Sequence, residues 1–135
     1  MRIVIPLIAV ALSGSAVAAD RATQRQTDEE KLAAALSGLV PDGKPADCLD
    51  QYRASPAQIE SYGGTILYTV SKNLVYRNDT GGGCENIARG DIFVTQSNAG
   101  RLCRGDIGRT VSQIGGAMTG SCALGSFVAY RKAPR

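Results

Sequence analysis

Thr65-Ile66-Leu67-Tyr68-Thr69-Val70, followed after Ser71-Lys72 by Asn73-Leu74-Val75-Tyr76-Arg77, is the stretch that decides the fold. Both runs are rich in β-branched and aromatic residues, and the two-residue spacer has the length of a hairpin turn. Neither spacer residue is a glycine, so length rather than turn chemistry predicts the hairpin. The same signature recurs on either side. Ile59 to Tyr62 precedes it, and Asp91 to Gln96 and Phe127 to Tyr130 follow it. Gly63-Gly64, Gly81-Gly82-Gly83, Asn98-Ala99-Gly100 and Gly115-Gly116 punctuate the intervals. Closely spaced strands with no helical period between them predict a mainly β domain, a small antiparallel sandwich or open barrel.

Upstream the pattern changes. Thr27-Asp28-Glu29-Glu30 has the form of a capping box, and Lys31 to Leu36 continues in strong helix formers before Gly38. One short helix over about Asp28 to Ser37 is predicted, with Leu32, Leu36 and Leu39 along one side. Asp20 to Gln26 reads as disordered, and Pro41, Gly43 and Pro45 make a linker into Cys48.

At the start of the chain, Arg2 precedes the apolar run Ile3 to Leu12, and Ala16-Val17-Ala18 has the small-residue pattern of a cleavage site. Met1–Ala19 is therefore read as a removable signal peptide, cut after Ala18 or Ala19. Its apolar run falls short of the roughly 20 residues a membrane-spanning helix needs, and no later segment could span. The division predicted is 1–19 signal peptide, 20–46 polar segment, helix and linker, 47–131 disulfide-stapled β domain, and 132–135 basic tail. The destination is periplasmic or extracellular.

The four cysteines, Cys48, Cys84, Cys103 and Cys122, all follow the predicted cleavage site. An even count in an exported chain reads as two disulfides, for which three pairings exist. No C-x-x-C spacing occurs and histidine is absent, which argues against a zinc site. No metal or cofactor is predicted.

Absent histidine also removes the usual base of Ser and Cys nucleophile systems. Asp91 and Asp106 are the conceivable acid/base pair. Each, however, directly follows Arg-Gly at the start of a strand-like run, where Asp ordinarily makes turn hydrogen bonds. Arg89-Gly90-Asp91 and Arg104-Gly105-Asp106 accordingly read as glycine turns that launch strands, not as adhesion tripeptides. Gly81-Gly82-Gly83 lacks phosphate-loop spacing and reads as a flexible turn. Asn78-Asp79-Thr80 is an N-glycosylation acceptor in form.

Formal net charge is +3, yet from Arg101 onward six basic residues face a single acid, Asp106. Arg101, Arg104, Arg109, Arg131 and Lys132 are the candidate contacts for an anionic surface such as lipid headgroups or polysaccharide. No aromatic stacking platform accompanies them, so nucleic acid is not the predicted partner.

In order along the chain, Cys48, Tyr76-Arg77-Asn78, Cys84, Leu102-Cys103-Arg104-Gly105-Asp106, and Cys122-Ala123-Leu124-Gly125-Ser126-Phe127 form a recognisable combination. From Cys48 to about Arg131 the chain resembles small exported four-cysteine proteins of unknown function from Gram-negative bacteria, common in alphaproteobacteria. Some members of that group keep counterparts of only the first and third cysteines. The resemblance thereby implies the pairs Cys48–Cys103 and Cys84–Cys122. It implies no activity. The function predicted is that of a non-catalytic periplasmic β domain, structural or binding an envelope component or a protein. The alternatives are a periplasmic hydrolase inhibitor and a carboxylate enzyme using Asp91 or Asp106.

Overall fold

The computed structural model describes residues 15–135. The apolar run of the predicted signal peptide lies outside them. The chain forms α1 (Ser15–Ala35), β1 (Leu39–Pro41), β2 (Cys48–Asp50) and the short helix α2 (Gln51–Ala54). Then come β3 (Gln58–Tyr62), β4 (Thr65–Ser71), β5 (Leu74–Asp79) and a 3-10 helix at Glu85–Arg89. β6 (Ile92–Thr95), β7 (Arg101–Cys103), β8 (Ile107–Val111), β9 (Met118–Ala123) and β10 (Phe127–Lys132) complete it.

The strands pair antiparallel in three open sheets: β1-β10-β5-β4-β3, β2-β7 and β6-β8-β9. All three feed one core. Ile66, Tyr68 and Phe127 come from the first sheet, Leu49 and Leu102 from the second, and Cys122 with the flanking Phe93 from the third. Tyr68 and Phe127 meet as a tilted aromatic pair with ring centroids 5.7 Å apart, a geometry the ring quadrupoles favour. The mainly β antiparallel architecture is thus the one the sequence predicts.

The disulfides are Cys48–Cys103 and Cys84–Cys122, with no free cysteine. Cys48 and Cys103 stand directly opposite each other in the β2–β7 ladder. The Cys103 amide turns instead to the Asp106 carboxylate, 2.7 Å away. The cysteines therefore occupy a non-hydrogen-bonded pair, where opposed side chains approach most closely. Cys84 and Cys122 are buried in the core. There the backbone of Gly83 runs so close to the Ser121 carbonyl that a β-carbon has no room.

Four local readings are corrected. The main helix already runs from the first described residue, Ser15, to Ala35 rather than beginning near Asp28, and Asp20 to Gln26 is helical rather than disordered. Thr27 does not cap it; its hydroxyl donates to the Thr23 carbonyl one turn back at 3.0 Å. Ala, Gln and Arg upstream of Thr27 are themselves good helix formers, so propagation overrides the box. The linker before Cys48 contributes β1, which pairs with β10 at Leu39↔Lys132, so both Leu39 and Lys132 belong to the sheet. The β4–β5 turn lies at Lys72-Asn73, closed by Ser71↔Leu74, because the register shifts between Thr69 and Ser71. A bulge there moves the turn one residue on.

Candidate functional site

The β6–β8–β9 sheet has one face in the core and one face in solvent. Phe93 packs its ring over Gly108 on the inner face, and Thr110 and Cys122 are buried beside it. Alternation then turns Ile92 and Val94 outward on β6, with Ile107, Arg109 and Val111 on β8 in the same face. Ile92 is 52% exposed, Ile107 49% and Met118 of β9 66%. Ile114, in the β8–β9 connection, is also exposed. At the β6 C-terminal end this face opens into a cleft of about 620 Å³ lined by Val94, Gln96, Asn98, Asp106, Ile107 and Arg109. Single exposed apolar residues are ordinary, but a contiguous group on one sheet face marks a place where something binds.

The predicted acid/base pair is divided. Asp106 borders the cleft, and its Oδ2 accepts the Cys103 amide across the turn that Gly105 makes at φ +90°. Asp91 lies at the other end of the β6–β8 ladder, about 20 Å away along the strand direction. Its carboxylate accepts the Thr119 hydroxyl, which also contacts the Thr110 hydroxyl at 2.9 Å. Asp106 thus anchors its turn, whereas the Asp91 carboxylate ties the start of β6 to Thr119 of β9. Both Arg-Gly-Asp segments do launch strands, β6 and β8, and these two strands are neighbours.

The triple glycine is filled from within. The Gly83 amide donates to both carboxylate oxygens of Glu85, and the Gly82 amide to the Thr80 hydroxyl. The chain's own carboxylate occupies the place a phosphate would take. Asn78 is wholly buried, and its Nδ2 donates to the Gly125 carbonyl at 2.8 Å. In the folded protein that amide is closed to glycan addition.

The basic residues are spread over all three sheets. Arg104 pairs with Asp47 at 3.4 Å and Arg131 with Asp42 at 2.6 Å. Arg101 stands opposite Asp50 in the β2–β7 register. The charges of Arg104 and Arg131 are thus offset in space by Asp47 and Asp42, from the segment before β2. Lys132 stands opposite Leu39 at the end of β10. Arg109, like Arg101 and Lys132, has no carboxylate within ion-pair distance among the described residues, but it rises from the apolar outward face of β8 beside the cleft. The sequence singled out its charge but not the apolar surface around it. No cluster of residues able to hold a metal ion occurs among the described residues, and no described helix is long and apolar enough to cross a membrane.

No known protein family, curated protein or solved structure matches the chain.

Proposed function

We propose that the chain is an exported, periplasmic, non-catalytic domain that binds a protein of the cell envelope through the outer face of the β6–β8–β9 sheet. The observation carrying this reading is the exposed row of Ile92, Val94, Ile107 and Met118 around Arg109. Two disulfides on a small β core suit an oxidising compartment, and the resemblance to small exported four-cysteine proteins points the same way. Asp91 and Asp106, the carboxylates that would serve an enzyme, are apart, one engaged with the Thr119 hydroxyl of β9 and the other with its own turn. Inhibition of a hydrolase is one form such binding would take.

The test is capture from periplasmic and envelope fractions with the disulfide-bonded domain and with an Ile107→Lys, Met118→Lys double variant. A partner retained by the parent domain and lost by the variant supports the reading. Equal capture by both, or none by either, overturns it.

A further inference from the structure

We propose that β6 receives an extended segment of the partner protein as a fourth strand of its sheet, and that this segment carries a carboxylate for Arg109. The inference rests on the sheet face being the binding surface and adds the partner's conformation and charge.

Ladder parity supplies the first argument. The amides of Leu124 and Ser112 donate to the carbonyls of Asp106 and Ala117, so the even-numbered residues of β8 turn their backbone toward β9. The odd-numbered residues Arg109 and Val111 then bond to Val94 and Ile92 of β6. The N–H and C=O groups of Phe93 and Thr95 consequently point away from β8, along an edge where no strand pairs among the described residues.

The other edges are blunted. β1 ends in Pro41. The edge of β3 meets the 3-10 helix, with the Ser61 hydroxyl donating to the Glu85 carbonyl and accepting the Ala88 amide. Beside β9 lies the glycine loop, and Asn86 donates to the Thr119 carbonyl. β2 and β7 have three residues each and carry Asp50 and Arg101. β6 carries none of these devices: Ile92 through Ser97 contains no proline and no charge. An open, uncharged, apolar edge is the template that strand addition uses.

Charge selects the occupant. Arg109 is the sole charged side chain in the outward rows of the three strands. Face-to-face packing of two copies sets arginine against arginine, which is repulsive. An added strand places side chains beside Val94, the direct cross-strand partner of Arg109. Its aliphatic stem lies along the apolar row while the guanidinium meets a carboxylate on the new strand.

The test selects binders from a random dodecapeptide display library on the disulfide-bonded domain, then follows amide exchange by NMR. Selected peptides should alternate β-branched residues and include an Asp or Glu. Their binding should slow exchange at Phe93 and Thr95 about tenfold or more, and Arg109→Glu should weaken it about tenfold or more. Strand addition is overturned by an empty selection, or by binding that leaves those two amides unprotected. If that unprotected binding is still lost with Ile107→Lys, the face reading survives alone; if it persists, both fall. Concentration-dependent protection without peptide assigns the edge to a second copy, and uptake by phosphatidylglycerol vesicles with an empty selection assigns the face to a membrane; either overturns the proposal.

Discussion

The side-chain amide of Asn78 and the backbone of Gly125 close on each other with two hydrogen bonds of 2.8 Å, across 47 residues of sequence. Asn78 ends the Tyr-Arg-Asn run of β5, and Gly125 sits in the Ala-Leu-Gly-Ser link that feeds β10. A β-carbon at Gly125 would collide with the Asp79 carbonyl. Two of the segments that carry the resemblance are thus halves of one structural clamp. Asn78→Ala leaves a buried donor and acceptor unpaired and should cost about 3 kcal/mol in urea unfolding. Gly125→Ala should also destabilise, by steric conflict. Loss of less than about 1 kcal/mol in both variants would remove the clamp from the account.

Tyr68 offers the opposite case. It is fully buried, and its hydroxyl has no hydrogen-bond partner among the described residues. Removing an unpaired buried hydroxyl relieves a desolvation cost, so Tyr68→Phe should raise stability by about 1 kcal/mol. A lower melting temperature for the variant would show that the hydroxyl is satisfied in solution.

Burial also pushes the Tyr68 phenol well above its ordinary pKa. With the folded pKa raised, the associated stability is complete below about pH 10 and is lost as pH climbs past it, because the unfolded phenol ionises first. Stability measured between about pH 9 and pH 11 should therefore fall more steeply in the parent than in Tyr68→Phe. Tyr62, raised by burial and then by the neighbouring Glu60, adds a slope of the same sign in both proteins. Parallel curves would contradict this assignment.

The two disulfides close loops of similar length, with sequence separations of 55 and 38. Chain entropy assigns each about 4 kcal/mol. Packing breaks the tie. Cys84 and Cys122 belong to the buried core, whereas Cys48 and Cys103 are partly exposed on a two-stranded ribbon. The Cys84→Ala, Cys122→Ala pair should cost about 1–2 kcal/mol more than Cys48→Ala, Cys103→Ala, from the cavity it leaves. Denaturant unfolding of both double variants checks the order.

Strands whose own residues favour extended backbone were readable from sequence: β4, β5 and β10 are dense in Ile, Val, Tyr and Phe. β2, β7 and β9 read Cys-Leu-Asp, Arg-Leu-Cys and Met-Thr-Gly-Ser-Cys-Ala. Nothing local marks them, because they are strands by virtue of partners elsewhere in the chain. The binding face was hidden for a related reason. Ile92-Phe93-Val94-Thr95 is apolar at both parities, so alternation could not say which side faces solvent. That was decided by Gly108 making room for Phe93. The pull of Asp42 and Asp47 on Arg131 and Arg104 was equally invisible, since it joins distant segments.

β1 and β10 are neighbours in the largest sheet. The first and last of the described strands must therefore meet before that sheet is whole, and contacts of such wide separation form slowly. A polypeptide emerging from its N-terminus can stack β3, β4 and β5 early, but that sheet cannot finish until β10 is free. Under the export proposed above, that delay would keep the chain threadable until the crossing is done.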